Sequence, residues 1–191
     1  MKFFFLSASF CLAASAALSQ PIVEGPVVEE YHFDADGDGT EDLITELTTR
    51  DLDRVLVISK DTAEPPVVIG PLWANLTMLD LVTSTKPGRF TIAMGCDTCG
   101  RNGSSLQWHV AFREGRYIVA GVTIVQSDRL SAESVLCDVN LLTGQADVSR
   151  DPDMPETRIT TDERAPDLLG LPSDYSPKVC DDLIAGFWAV R

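Results

Sequence analysis

The order of apolar and polar residues along the chain is typical of short β-strands. Runs rich in β-branched and aromatic residues are bounded by turn-forming residues, and no window of a dozen residues carries a helical stripe. These runs predict antiparallel strands joined by turns. Six of them lie in the first half of the chain: Val27 to Phe33, Asp42 to Leu47, Arg54 to Ser59, Pro66 to Gly70, Leu76 to Thr83 and Arg89 to Met94.

The clearest hairpin joins the runs Leu106 to Phe112 and Tyr117 to Val125 through a two-residue turn at Glu114-Gly115. Because the turn sets the register, it predicts which residues face each other across the two strands. In such a pair, the indole ring of a tryptophan can cover a glycine on the neighbouring strand, which has no side chain of its own. The predicted pairs are Phe112 with Tyr117, Val110 with Val119, Trp108 with Gly121, and His109 with Ala120 on the face away from Trp108.

The second half of the chain predicts one more hairpin, Ser134 to Ser149, with its turn at Thr143-Gly144. Residues 150–177 hold five of the eleven prolines and predict a surface meander with one short strand near Thr157 to Thr161. The apolar run Leu183 to Val190 is too apolar to stay exposed, so the segment 178–191 is expected to dock on the body near Cys180.

The length of 191 residues fits one domain, with 45% apolar and 23% charged residues as in globular proteins. The predicted fold class is all-β, with short antiparallel hairpins in a compact propeller-like or sandwich-like single domain over residues 20–191. Residues 1–19 are predicted to be a signal peptide: Lys2 is followed by an uncharged apolar run, and small residues precede a cleavage site before Gln20. We therefore expect a periplasmic or secreted protein.

Removal of the signal peptide would leave four cysteines, which an oxidising compartment would pair into two disulfides. Three connectivities are possible, and we favour Cys96–Cys99 as a local link and Cys137–Cys180 as a long one. The spacing of Cys96 and Cys99 also matches a redox pair. That motif needs a helix start after a strand, whereas glycines and strand-like runs flank it here.

The net charge of −14 and the pI near 4.4 argue against nucleic acid and anionic membranes as partners. They leave basic proteins and cations. No segment after the signal peptide has the length of about 20 apolar residues that membrane insertion needs.

One acidic stretch, residues 34–42, has the spacing of a calcium loop. Its aspartates occupy positions one, three, five and nine, and a glycine occupies position six. Calcium takes about six to eight oxygen ligands, and magnesium keeps more of its waters. An acidic turn without an ion remains the alternative, but its four like charges would repel. The predicted ligands are Asp34, Asp36, Asp38, Asp42 and the carbonyl oxygen of Thr40.

The loop is not expected to be an EF-hand, because Thr45 stands where that motif has a bidentate glutamate and both flanks read as strands. The stretch Asp34 to Ile44 instead resembles the calcium loops of FG-GAP and integrin α propeller repeats. Over residues 28–149, the order of calcium loop, Trp108–Tyr117 hairpin and Asn140-Leu141-Leu142-Thr143-Gly144 resembles a family of small exported β-propeller-like proteins. That family includes bacterial immunity proteins and relatives of periplasmic i-type lysozyme inhibitors.

The resemblance implies a structural calcium ion and a surface loop that blocks a peptidoglycan hydrolase. The Ser-Gly-x-x-Tyr loop of several such inhibitors is absent from this sequence. A basic, lysozyme-like hydrolase would be a suitable partner for so acidic a chain.

Enzyme motifs are not evident in the sequence. His32 and His109 lack zinc-site spacing, and there is no Gly-x-Ser-x-Gly nucleophile motif. The first functional hypothesis is therefore a calcium-binding module, an inhibitor of or immunity factor against a cell-wall hydrolase. The alternatives are an envelope structural or calcium-buffering protein and, ranked behind the binding module, an envelope hydrolase.

Overall fold

The computed structural model describes residues 25–51, 53–60, 64–72, 78–83, 86–96, 100–150 and 157–189. The predicted signal peptide lies outside these ranges. The described residues form the strands β1 (Val27–Phe33), β2 (Asp42–Thr48), β3 (Arg54–Ser59), β4 (Val67–Leu72), β5 (Met78–Thr83), β6 (Arg89–Cys96), β7 (Asn102–Arg113), β8 (Arg116–Asp128), β9 (Glu133–Asn140), β10 (Gln145–Arg150) and β11 (Thr157–Thr160), and the helix α1 (Lys178–Ala189).

Two antiparallel sheets make up the fold. The smaller has the strand order β1-β2-β3-β4, and the larger runs β11-β10-β9-β8-β7-β6-β5. Each strand therefore pairs with its neighbour in the chain, as expected for successive hairpins. The predicted all-β single domain is confirmed, whereas a propeller is not.

The turn between β7 and β8 is the predicted one. Glu114 and Gly115 both have positive φ, 53° and 78°, as a two-residue hairpin turn of this type requires. Next to the turn, the predicted pairs of Phe112 with Tyr117 and Val110 with Val119 are confirmed.

Farther from the turn, the predicted register is wrong by one residue. A β-bulge shifts β8 so that His109 pairs with Gly121 and Trp108 with Val122. Ala120 is the extra residue of the bulge, which a turn-based register cannot anticipate. The side chain above Gly121 is therefore that of His109, whose Cδ2 would lie 3.5 Å from a Cβ placed there.

The indole of Trp108 lies in the core, where it is 1% exposed. Its Nε1–H donates to the carbonyl oxygen of Tyr175, at 3.2 Å, and the two rings are 6.5 Å apart. This bond ties the irregular segment after β11 to the middle of the larger sheet.

Both sheets contribute to one hydrophobic core. The buried residues Ile44, Leu56 and Ile58 of the smaller sheet belong to the same cluster as Phe90 and Trp108 of the larger one. Phe33 at the end of β1 contacts Phe90 at the start of β6, with ring centroids 5.6 Å apart. The junction between the sheets therefore lies beside the loop that follows β1.

The C-terminal segment forms a helix, which corrects the expectation that the chain contains none. Its residues Val179, Leu183 and Ile184 pack against the core. Their spacing is that of one helix face, and the short stripe follows a proline-rich stretch in the sequence. No helix in the described part of the chain is long and apolar enough to cross a membrane.

The disulfide Cys137–Cys180 joins β9 to α1, as predicted, with the sulfurs 2.06 Å apart. The described part of the segment 178–191, the helix α1, thus lies against β9. Cys96 is also disulfide-bonded. Its expected partner, Cys99, lies outside the described residues.

The proline-rich region contains one short strand in its described part, β11, at nearly the predicted position. After β11 the chain returns to β8, where Val119 N–H donates to the carbonyl oxygen of Pro166, at 3.0 Å, and Leu168 N–H donates to that of Tyr117, at 2.9 Å. Leu168 is buried in the core. The meander is thus ordered by backbone bonds to β8.

Candidate metal centre

The acidic loop connects β1 to β2 and is shaped by two glycines. Gly37 and Gly39 have φ values of 81° and 92°, a region that side chains with a Cβ rarely occupy. These two residues let the chain reverse direction between adjacent strands, so that the carboxylates before and after the turn approach each other.

Three of the predicted ligands come together. Asp34, Asp36 and Asp42 each place a carboxylate oxygen within 4.8 Å of the others, a group that could hold a metal ion. Asp38 is outside this group, and one of its oxygens accepts a hydrogen bond from Thr40 N–H at 2.7 Å. Ligation by Asp38 and by the Thr40 carbonyl stays a prediction.

Backbone N–H groups hold the carboxylates in place. Asp34 accepts from Gly37 at 2.6 Å through Oδ1 and from Gly39 at 3.0 Å through Oδ2. Asp42 Oδ2 accepts from Ala35 N–H at 2.9 Å. An ionised carboxylate has about four acceptor positions, so these bonds leave lone pairs available to a cation.

Asp42 is the most deeply placed of the three carboxylates. Its residue is only 4% exposed. Burial raises the pKa of Asp42, and the negative charges of Asp36 and Asp38 raise it further, against the lowering effects of the Ala35 hydrogen bond and of Lys60. The surroundings of Asp42 thus disfavour its ionised form, and a bound cation would favour that form instead.

Lys60, which follows β3, already supplies one positive charge. Its Nζ lies 2.8 Å from Asp36 Oδ2 and 3.2 Å from Glu64 Oε2. The same atom is 5.3 Å from the centre of the Phe112 ring. The hydrogen bond to Asp36 is the main reason that the pKa of Lys60 is raised. Sequence reasoning missed Lys60, because its position beside the loop depends on the pairing of β2 with β3.

Tyr117 lies beneath the loop and is 2% exposed. Its hydroxyl lacks a hydrogen-bond partner among the described residues. Burial raises the pKa of this hydroxyl, and the four aspartates of the loop raise it further. A buried hydroxyl without a partner beside an acidic group is uncommon, and a water or ion normally satisfies it.

The loop is seated on the turn between β5 and β6. Gly88 N–H donates to the Asp34 carbonyl oxygen at 3.0 Å, and Phe112 N–H donates to the Gly88 carbonyl oxygen at 2.9 Å. A Cβ on Gly37 would lie 3.5 Å from Gly88 Cα. The acidic loop therefore connects the smaller sheet to the larger one.

Comparison of the chain with protein-family models, with curated proteins and with solved structures finds no match to any of them.

Proposed function

We propose that the protein is an exported calcium-binding β protein that acts as a binding module. The observation that carries the calcium site is the convergence of Asp34, Asp36 and Asp42 within 4.8 Å. All three belong to a loop whose aspartate spacing matches known calcium loops. Hard carboxylate oxygens suit calcium, and a site built from several of them suits magnesium less, because magnesium prefers to keep its waters.

The surroundings of the loop fit a divalent cation. The carboxylates retain free lone pairs, the pKa of Asp42 is raised by burial and by its acidic neighbours, and the Tyr117 hydroxyl is buried without a partner in the described structure. A cation would offset the repulsion among the carboxylates. Since the loop contacts Gly88 of the larger sheet, the ion would also stabilise the junction of the two sheets.

The test is thermal unfolding of the oxidised protein with calcium, with magnesium and with chelator. Calcium at about 100 times its Kd should add about 2.7 kcal/mol to the free energy of unfolding. Asp42→Asn keeps an acceptor for Ala35 N–H, so this variant should fold in chelator and lose the calcium shift. Glu41→Gln changes an exposed acid of the same loop and should keep the shift. Absence of a shift in the wild type, or a shift unaltered in Asp42→Asn, would overturn the site.

The partner is proposed to be a basic protein, such as a lysozyme-like peptidoglycan hydrolase. The excess of 29 acidic over 15 basic residues supports electrostatic steering toward such a partner and disfavours nucleic acid. The resemblance to exported immunity and inhibitor proteins supports the same class.

A panel of lysozymes and amidases in calcium buffer would test this partner, with binding that weakens as salt increases as the expected result. If micromolar protein neither binds nor inhibits any enzyme of the panel, the proposed partner is wrong. One bound ion with no captured partner would favour the structural or calcium-buffering alternative.

A further inference from the structure

A cavity of about 340 Å³ lies on the larger sheet, and its lining comes from β6, β7, β8, β9 and the turn after β9. The outward-facing residues Arg89, His109 and Arg113 are among those that line it. Because side chains alternate along a strand, Arg113 points to the opposite face of β7 from Phe112, whose ring Lys60 contacts. The cavity is therefore separate from the acidic loop, and its volume falls at the lower end of the range of small-molecule sites.

The cavity lies at the β-bulge in β8. The bulge places Gly121, which has no side chain, opposite His109, and the neighbouring lining residues Ala111 and Ala120 are small. A Cβ on Gly121 would come within 2.9 Å of the Val139 carbonyl oxygen. The part of the cavity formed by β7 and β8 is therefore lined by small residues beside the His109 ring.

A chain of polar side chains, one from each of the four strands, supports the cavity, and three of its members, Thr91, His109 and Asp138, line it. His109 Nδ1 lies 3.2 Å from Thr91 Oγ1, and His109 Nε2 lies 2.9 Å from Thr123 Oγ1. The Thr123 hydroxyl donates to Asp138 Oδ1 at 2.7 Å. Since the Thr123 proton is used by Asp138, Thr123 must accept from His109, which places a proton on Nε2. The imidazole is therefore held in one orientation.

The lining of the cavity carries two arginines, Arg89 and Arg113, against one acidic residue, Asp138, although the chain as a whole is strongly acidic. Arg89 pairs with Ala111, and Arg113 is two residues farther along the same face. Arg113 also lies directly opposite Arg116, an arrangement of like charges that destabilises a hairpin. Arg116 forms an ion pair with Asp167, in which Nη1 lies 3.7 Å from Oδ2. Within the described residues, Arg89 and Arg113 make no ion pair.

We propose that this cavity binds a small organic anion, whose carboxylate or phosphate group is held between the guanidinium groups of Arg89 and Arg113. Guanidinium groups match the planar, two-oxygen geometry of both anions. An apolar part of the ligand would rest on Ala120 and Leu142, the latter 40% exposed at the cavity. This site goes beyond the proposed calcium function and does not depend on it.

The test is a titration with succinate, glycerol 3-phosphate and inorganic phosphate, followed by calorimetry and by NMR of the His109 ring. Chelators are omitted because they are polycarboxylates. We expect saturable binding of succinate or glycerol 3-phosphate with a shift of the His109 ring signals. Tighter binding of succinate would identify a carboxylate as the ligand group, and tighter binding of glycerol 3-phosphate would identify a phosphate.

In Arg89→Gln/Arg113→Gln the affinity should fall by at least about tenfold, which corresponds to the loss of one charge-assisted hydrogen bond. Arg150→Gln, which removes an exposed arginine outside the cavity, should leave it unchanged. All of these substitutions lie on the surface, so unaltered circular dichroism is expected. Failure of every probe to saturate at millimolar concentration would overturn the proposal. So would equal binding by the double variant and the wild type.

Discussion

The ammonium nitrogen of Lys60 lies 2.8 Å from Oδ2 of Asp36, a carboxylate whose side chain is only 5% exposed. The lysine is thus a counter-charge that the chain itself brings to the acidic loop. An ion that binds to Asp36 must share that carboxylate with Lys60 or displace it. The same contact therefore stabilises the loop without an ion and competes with a cation.

The substitution Lys60→Met should separate these two effects. In chelator we expect a loss of about 1–3 kcal/mol, since a nearly buried carboxylate loses a charge-assisted hydrogen bond. In calcium titrations the variant should bind the ion more tightly than the wild type. Urea unfolding and calorimetry measure the two quantities.

Lys178→Met is the matched control for this prediction, because its ion pair with Asp182 is exposed on both sides. Exposed pairs contribute little, so its unfolding curve should match that of the wild type. Weaker calcium binding by Lys60→Met would contradict the competition.

The disulfide between Cys137 and Cys180 closes a segment of 43 residues, and its removal should loosen α1 first. Cys137→Ala/Cys180→Ala should lower the free energy of unfolding by about 2–4 kcal/mol, mainly because the unfolded chain is less constrained. Hydrogen exchange should show faster exchange in α1 than in β7 and β8. Equal loss of protection in all three elements would show that the helix is not held by this link.

The ion pair of Asp147 and Arg158 predicts a pH effect on the last strand pair. The hydrogen bond from Arg158 lowers the pKa of Asp147. A lowered carboxylate pKa means that the pair stabilises the folded state above the ordinary Asp pKa and that this contribution is lost as pH falls through the lowered value. In NMR titrations the Asp147 carboxyl should titrate at higher pH in Arg158→Gln than in the wild type. Identical midpoints would refute the effect.

Two glycines should respond in opposite directions to substitution by alanine. At Gly121 a Cβ would lie 2.9 Å from the Val139 carbonyl oxygen, so Gly121→Ala should destabilise the protein by about 1–3 kcal/mol. At Gly186, within α1, a Cβ meets nothing within 4 Å. Gly186→Ala should stabilise the protein by up to about 1 kcal/mol. Denaturant midpoints of the two variants provide the comparison, and changes of the same sign would contradict it.

Local patterns were sufficient to predict most strands. The run Val27–Phe33 coincides with β1, and the turn at Glu114-Gly115 set the first pairs of β7 with β8 correctly. The register failed at Ala120, because a bulge depends on the strand on the far side of β8, which the hairpin sequence does not specify. The helix α1 was missed, although the spacing of Val179, Leu183 and Ile184 carries the signal.

The candidate site, like the fold, was predictable only where its residues are close in sequence. The spacing of Asp34, Asp36 and Asp42 follows from a tight loop, so those residues could be identified from the sequence. Lys60 and Tyr117 lie near them only because β3 pairs with β2 and β8 packs beneath the loop. These contacts arise from tertiary packing, and the periodicity of a single sequence does not predict them.

The strand order has a consequence for folding speed. In both sheets each strand pairs with the next one in the chain, so every pairing closes only a short loop. Folding rates fall as contacting residues become more distant in sequence, and this arrangement keeps those distances small. We expect the sheets to assemble hairpin by hairpin, more rapidly than a Greek-key sandwich of the same length, with the attachment of α1 to β9 as the late step.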